Sequence, residues 1–477
     1  MSEELVDLVT ESNTKYHSHI LPYQLRFPKG TAFYEDLAID EKYRRLPKKN
    51  YIAPERLKDE LQHIWKRTWQ FAGTEQELAK PGDFVTYDIA DQGYLVVRQN
   101  DGGLKAYHNT CQHRGNRLAE GCGSAKSIRC PFHGWTWKLD GALQVIPDRH
   151  TFDSLDGDLS LRSVQCETWA GLVFINPNSA NAISLKEFLG PVVDQLEPYR
   201  LQDMNLVVNV IHPLSANWKT TVEAFVEIYH VNGVHPQFLA ASDDVNTAME
   251  VVSKRFGHSR AIIPFGVPSP RLASYTEHDV VREFIHSGGI LRGSEIDLSR
   301  VAFDWDTAKG NNPTKGEIAE QHKNGREFLI SKMEKIIQDR EINVSGLSRA
   351  QYIDDWHYYL FPGLVFNITA GGFLLLSMRP HASDPDRMTI QTMIFQKMSE
   401  AQRKLVPPAA RTYADEGTRS YGMILDQDYA NVVLTQRGIH SDGFEASRLS
   451  RQEVRIATMA KVIDRLIDEG KRTSTAE

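Results

Sequence analysis

Apolar residues recur at helical spacing just after Pro54: Leu57, Leu61, Ile64, Trp65 and Trp69. Proline suits a first helical turn, where its missing N–H would have had no partner, so a helix is expected from residue 54. From Gly82 to Asn178 the rhythm shortens to alternation. "FVTYDI" alternates, "YLVVRQ" and "LKAYHN" flank the turn "NDGG", and "GLVFINP" reads as a buried closing strand. Beyond about residue 180 the texture is mixed. A helix is expected over 217–233, and strands over "GLVFNITAGGFLLLSMRP" and "RMTIQTMIFQKM", as parts of an antiparallel sheet. Two late helices follow. One runs through "SYGMILDQDYANVVLTQRG" with Gly438 as its stop; the other begins at Ser450, which forms a capping-box pattern with Glu453. Residues 1–52 carry few periodic signals, and 287–325 are polar and aperiodic, as in a long loop or insertion. No repeat of 20–50 residues and no low-complexity tract is evident.

The bulk numbers narrow the class. The chain has 477 residues, 41% hydrophobic and 25% charged, an ordinary globular composition. Its formal charge of −7 leaves no basic excess to neutralise phosphates, so nucleic acid is not an expected partner. The start, "MSEELVDLVTESNTKYHSHI", lacks the basic and apolar regions of a signal peptide, and runs such as "GGFLLLSM" are too short to cross a bilayer. A cytoplasmic protein without a membrane span is expected. Four cysteines in so long a chain are no disulfide framework.

Three of those cysteines fall in "CQHRGNRLAEGCGSAKSIRCPFHGW", Cys111–Trp135. Cys111 and His113 form one Cys-x-His loop; Cys130 and His133 form a Cys-x-x-His loop. Zinc is the competing reading, but zinc ribbons present paired cysteines and zinc fingers present their histidines together. One thiolate and one imidazole per loop is the distribution a two-iron, two-sulfide cluster needs when two Cys bind one iron and two His the other. Neutral imidazoles in place of two thiolates raise such a cluster's potential by several hundred millivolts, as an order of magnitude. The loops "CQHRG" and "CPFHGW" resemble those of the Rieske domain. Cys122 and Cys166 are read as ordinary unligated thiols.

A second constellation lies in "NWKTTVEAFVEIYHVNGVHPQF", Asn217–Phe238. On a continuous helix Glu223, Glu227 and His230 would share one face. His235 would lie about 140° from His230, since each residue turns about 100°. Both imidazoles could then meet one ion only if the helix loosened, and Gly233 and Pro236 supply a break. Two histidines and one carboxylate with open positions form the facial triad of mononuclear Fe(II) oxygenases. Two other readings compete. One is a buried polar face with satisfied histidines. The other is a di-iron bundle built on Glu227-x-x-His230 and Glu283-x-x-His286. The strand-rich texture after 345 argues against a bundle, which would also leave His235 without a role.

The carboxylate must come from elsewhere. Asp428 falls on the apolar stripe of its helix, beside Leu425 and Val432, where a lone carboxylate is costly unless paired or metal-bound. Asp426 on another face, and Asp354 and Asp355, are the alternatives.

With these motifs in this order, the chain resembles the catalytic α subunit of the Rieske non-haem iron oxygenases, the aromatic-ring-hydroxylating dioxygenase family. The resemblance runs from about Trp69 to the last helix and is weakest over 237–345. It implies an α+β protein: an N-terminal extension over 1–55 packed on the catalytic domain, an all-β Rieske [2Fe-2S] domain over 56–180, and a helix-grip (START-like) catalytic domain with a central antiparallel sheet over 181–477. It implies His230, His235 and Asp428 as ligands of a mononuclear Fe(II), and Glu227 as the residue that bridges to a cluster histidine of the neighbouring subunit. Many relatives have Asp at that position; Glu is similar to relatives that act on quaternary amines or demethylate. Ala224 stands where many have Asn, and Asn217 is placed near the iron. The resemblance further implies a homotrimer or α3β3 assembly.

The chain lacks G-x-G-x-x-G, so a separate NAD(P)H-dependent reductase, with or without a ferredoxin, is expected to supply electrons. The expected function is hydroxylation of an aromatic or other apolar small molecule with O2, as ring dihydroxylation. The alternative is a monooxygenase or O/N-demethylase acting on an aromatic, steroid-like or quaternary amine substrate. A Rieske electron carrier without oxygen chemistry is the remote reading. Phe225, Phe265, Phe361 and Phe366 are candidates for a substrate pocket or for plain core packing.

Overall fold

A computed structural model of the chain describes residues 3–9, 16–178, 183–287, 324–339 and 341–474. Most of the polar stretch 287–325 therefore lies outside the described residues. The chain divides into two compact units. One comprises Met1–Arg56, Gly190–Arg379 and Pro385–Arg465; the other comprises Leu57–Leu189, Pro380–Asp384 and Leu466–Glu477.

The second unit is built on strands β1 (Gln70–Thr74), β2 (Asp83–Ile89), β3 (Gln92–Arg98), β4 (Leu104–His108), β5 (Cys122–Ser124), β6 (Ile128–Arg129), β7 (Thr136–Trp137), β8 (Leu143–Val145), β9 (Ser163–Trp169) and β10 (Leu172–Asn176). Seven form a sheet in the order β1-β10-β9-β4-β3-β2-β5, and three form a second sheet, β8-β7-β6. The "NDGG" turn joins β3 to β4 in the expected hairpin, with Val96 opposite Ala106. Leu95, Val97, Tyr107, Trp135 and Trp137 pack into one apolar cluster that also takes in Cys111 and Cys130. The two thiols thus sit at the edge of a rigid core.

The first unit is organised by β11 (Met204–Leu214), β12 (Ala248–Val251), β13 (Ser259–Ile263), β14 (Asp355–Leu360), β15 (Leu364–Thr369), β16 (Gly372–Pro380), β17 (Met388–Lys397) and β18 (Thr412–Tyr413). They form one sheet in the order β12-β13-β14-β15-β16-β17-β11-β18. β12 through β16 pair antiparallel in succession, β11 runs antiparallel to β17, and β18 joins β11 in parallel. Side chains alternate between faces along a strand, so Asp355, His357 and Tyr359 share one face of β14, and Trp356 and Tyr358 the other. Its helices include α1 (Trp218–Phe225), α2 (Val231–Val234), α3 (Glu277–Ser287), α4 (Gly325–Asp339), α5 (Met423–Ile439) and, as far as Arg465, α6 (Val454–Ser474). Helix α6 lies on the His357 face: Arg455 Nε donates to Ser259 Oγ at 2.9 Å and Nη2 reaches His357 Nδ1 at 3.0 Å. The α+β class and the antiparallel sheet are as expected.

The local expectations hold with shifts. The helix after Pro54 ends at Glu60 and passes into a wider π-turn over Leu61–Trp65, leaving Trp69 beyond it. The capping box at Ser450 and Glu453 is formed, and a short 3-10 turn leads into α6. Gly438 does not stop α5, which continues to Ile439. The largest change is at 217–233: no continuous helix forms. α1 stops at Phe225, Val226 leaves helical geometry (φ −104°, ψ 11°), and a four-residue helix resumes at Val231. Among the described residues no helix is long and apolar enough to cross a membrane.

Candidate functional site

The two cysteine loops of the β unit have the same construction. Cys111 N–H donates to Asn116 O at 2.8 Å, and Gly115 N–H returns to Cys111 O at 3.0 Å. Cys130 N–H donates to Trp135 O at 2.8 Å, and Gly134 N–H returns to Cys130 O at 3.1 Å. Both returns need a left-handed residue, and glycine provides it: φ is +75° at Gly115 and +74° at Gly134. The matched turns aim four side chains at one place. Both thiols are buried and neither is in a disulfide. Burial, together with the nearby Cys130 thiol, pushes the Cys111 thiol up, against main-chain N–H groups of His113 and Arg114 that favour its thiolate. The rings of His113 and His133 lie 4.7 Å apart, and His113 stacks on Trp135 at 5.1 Å and 4°. His113 Nδ1 is buried with no hydrogen-bond partner. Two adjacent free thiols and a buried unpartnered imidazole nitrogen are a poor fit to a closed core and a good fit to a metal–sulfur group. His133 stands at the surface, beside an exposed Phe132 that carries Arg114 over its ring at 5.6 Å.

In the sheet unit the break after α1 brings His230 and His235 to Asp428 of α5. One ligand atom from each lies within 4.8 Å of the others. His235 Nε2 is 2.7 Å from Asp428 Oδ1, and His230 Nε2 is 3.7 Å from the same oxygen. The far side of each ring also faces an acceptor. His230 Nδ1 is 2.7 Å from Glu227 Oε1, and His235 Nδ1 is 2.8 Å from Gln427 Oε1, which also accepts from Gln237 Nε2. A neutral imidazole has one N–H and cannot satisfy acceptors on both sides. Either both rings carry a second proton or a cation stands in for it between the Nε2 atoms and Asp428. Burial disfavours the imidazolium of His230, but Glu227 and Asp428 outweigh it and hold its pKa above the ordinary value. This is a donor set built for a positive charge, with each Nδ1 anchored from behind as metal-binding histidines usually are.

The other candidate carboxylates are engaged elsewhere. Asp426 caps the start of α5, accepting from Tyr421 N–H and Ser420 Oγ. Asp354 pairs with Arg326. Asp355 accepts from Asn367. Glu223 does not share a face with Glu227, because the helix ends between them; both its oxygens take the hydroxyl of Tyr51. Asn217 is the N-cap of α1: its Oδ1 accepts Lys219 N–H, and its Nδ2 donates to Tyr51 O and Pro385 O. These contacts anchor the start of the helix. Of the phenylalanines, Phe361 and Phe366 are core, whereas Phe225 and Phe265 are half-buried. Phe238, which no pattern in the sequence marks, lies 6.4 Å from His235 and 6.0 Å from Phe265. Nor does the sequence mark Gln427, although it sits inside the "DQD" motif. Glu283 lies on α3, and the side chain of His286 is outside the described residues.

Residues 68–164 match the family model of the Rieske [2Fe-2S] domain. Residues 201–469, more than half of the chain, match that of the ring hydroxylating alpha subunit (catalytic domain). The chain is 33% identical over 196 residues to a carnitine monooxygenase oxygenase subunit of Acinetobacter pittii, covering 40% of this chain and 53% of the relative. It is 32% identical over 195 residues to a glycine betaine monooxygenase oxygenase subunit of Pseudomonas aeruginosa, covering 41% and 45%. It thus spans about half the length of the curated relatives it matches. A naphthalene 1,2-dioxygenase with indole bound superposes with a TM-score of 0.61 at 20% identity, over 92% of this chain and 98% of that one, a likeness of fold.

Proposed function

The chain belongs to the ring-hydroxylating alpha subunit family, and on that premise we propose that it is the oxygenase component of a Rieske-type monooxygenase acting on a small quaternary ammonium compound. The observation that carries the metal chemistry is the flanking of both imidazoles, His230 and His235, by acceptors on each side, with Asp428 shared between them. His230, His235 and Asp428 would hold the mononuclear iron, and Cys111, Cys130, His113 and His133 the two-iron cluster. When bound, the cluster supplies electrons one at a time and the ferrous ion supplies oxygen activation.

The protein's own groups do the rest. Glu227 and Gln427 hold the two imidazoles so that each Nε2 is turned toward Asp428. Glu227 is nearly buried; in a ring of copies its carboxylate would accept a further imidazole N–H from a neighbouring copy's exposed His133, a short electron path between subunits. Electrons come from a separate reductase.

The substrate class follows the alternative expectation rather than ring dihydroxylation. The curated relatives act, by name, on carnitine and glycine betaine, both trimethylammonium carboxylates. Glu at 227 points the same way. The ring of Phe238 beside His235, and that of Phe265 next to Phe238, could face such a cation, whose attraction to an aromatic face is worth about 0.5–2 kcal/mol.

The test is reconstitution of the full chain with a surrogate reductase and ¹⁸O2, offering carnitine, glycine betaine and choline beside the uncharged mimic 3,3-dimethylbutan-1-ol and naphthalene. Turnover of an ammonium compound with one oxygen atom entering the product is expected. A cis-diol from naphthalene, with the ammonium compounds untouched, would restore the dioxygenase reading.

A further inference from the structure

His235 is held from both sides. Its Nε2 lies 2.7 Å from Asp428 Oδ1, and its Nδ1 lies 2.8 Å from Gln427 Oε1. A neutral imidazole has a single N–H, so the partner of one ring nitrogen decides what the other can do. With a carbonyl oxygen against Nδ1, that nitrogen keeps the proton and Nε2 offers its lone pair to an ion. With an amide NH2 there instead, Nδ1 must accept. The proton then sits on Nε2 and is donated to Asp428, which closes the place between them. The two ends of a carboxamide are nearly alike in shape, so packing alone does not choose between these arrangements.

A second amide makes the choice. Gln237 lies two residues after His235, in the short 3-10 turn Pro236–Ala240, and its Nε2 donates to the same Gln427 Oε1 at 2.8 Å. The turn is tied to His235 by the main chain, since Phe238 N–H donates to His235 O at 2.8 Å. Gln427 stands across from it on α5. Two N–H donors, from the His235 ring and from Gln237, thus converge on one carbonyl oxygen, whose two lone pairs can take both. Turned over alone, Gln427 would set its own NH2 against the NH2 of Gln237. We propose that Gln237 is a positioning residue: by donating to Gln427 Oε1 it fixes which way up that amide stands, and through it the tautomer that leaves Nε2 of His235 free for an ion. The proposal rests on the reading of His230, His235 and Asp428 as a metal site. All of these residues lie within one compact unit.

Co(II) titration of the full chain, freed of mononuclear iron but with its cluster absorbance intact, reads the site through the ligand-field bands of the bound ion. Gln237→Met keeps the side chain's length and removes its donor. It is expected to weaken Co(II) binding roughly 3–10-fold, somewhat less than loss of a direct partner of a metal histidine costs. Gln237→Glu puts an acceptor where the donor stood, and at about pH 8 that carboxylate is ionised. Gln427 then turns its NH2 toward it and toward His235, so binding should weaken at least as much as in Gln237→Met. Charge acting through space predicts the opposite sign, since a carboxylate added near a cation tightens binding. Gln427→Glu supplies the control, because a carboxylate presents oxygen whichever way up it stands. In that background Gln237→Met should change Co(II) binding by less than about twofold, whereas a packing role would carry its full effect over. The inference is overturned if Gln237→Met binds Co(II) like the parent, if it loses the same factor in both backgrounds, or if Gln237→Glu binds as tightly as the parent or tighter. Should Gln427→Glu not fold, the two Gln237 variants decide by the same outcomes. A parent protein that takes up no Co(II) would instead overturn the metal-site reading, and this inference with it.

Discussion

Glu227 holds His230 twice: Oε1 lies 2.7 Å from the ring Nδ1, and Oε2 accepts the residue's own main-chain N–H at 3.0 Å. The two contacts do different work. The main-chain contact shapes the turn between α1 and α2; the ring contact sets tautomer and basicity. Glu227→Gln keeps an oxygen for either contact but removes the charge. Turnover should fall about 10–100-fold with both metal sites filled, because outer-shell changes at metal histidines cost that much. Steady-state rates alongside iron content and cluster absorbance check it. Normal turnover with both sites filled would remove Glu227 from the electron path.

The two proposed ligand sets lie in different compact units, so they should fail separately. Cys111→Ser is expected to abolish cluster absorbance while leaving the mononuclear ion, because His230, His235 and Asp428 are untouched. His235→Ala should do the reverse, since it removes the imidazole closest to Asp428 and releases Gln427. Iron analysis and visible spectra on both variants decide the matter. Loss of both signals in either variant would mean that the sites depend on each other for folding.

These contrasts mirror what could be read from the chain. The four residues proposed to hold the cluster fall in two short loops, so their geometry is local and the spacing exposes it. His230 and His235 are equally local. Asp428 needed its place on an apolar stripe, because nothing near it in sequence names its partners. The break after Phe225 was hidden, since Glu223, Glu227 and His230 suit a continuous helix; what ends α1 there is tertiary, with Tyr51 taking Glu223 and His235 drawn to Asp428. Gln427 carries no signal of its own, because an amide is no metal ligand. His357 and Arg455 meet only where α6 packs on the sheet, 98 residues apart.

The aromatic pair Phe238 and Phe265, with Phe238 beside His235, gives a test of substrate class. Phe265 is half-buried and lies 6.0 Å from Phe238. Phe265→Ala should raise KM for a trimethylammonium substrate roughly 2–30-fold, the equivalent of about 0.5–2 kcal/mol of cation–π attraction, with a smaller effect on kcat. Phe265→Tyr should restore it. If KM for 3,3-dimethylbutan-1-ol rises as much as for choline, the ring acts as an apolar wall and not as a cation receptor.

Asp355 gives the pH dependence its sign. The residue sits on β14, two before His357, and burial pushes its carboxyl up to about 7, against the Asn367 hydrogen bond and the positive Arg455 and with the help of neighbouring Asp354. Its folded pKa lies above the unfolded value of 3.8. Between about pH 4 and 7 the folded chain therefore binds more protons than the unfolded one, and stability falls as pH rises. The contribution is complete below the unfolded pKa, is lost through the folded pKa, and is flat above it. Asp355→Asn cannot ionise, and its amide oxygen can keep the Asn367 contact. Its stability relative to the parent chain should therefore climb across that window by a few kcal/mol as an order of magnitude, since each tenfold change in proton affinity is worth about 1.4 kcal/mol. Urea unfolding of both proteins at pH 4.5 and 7.5 measures the difference. A constant difference between the two pH values would show that Asp355 is already ionised in the fold, paired with Arg455.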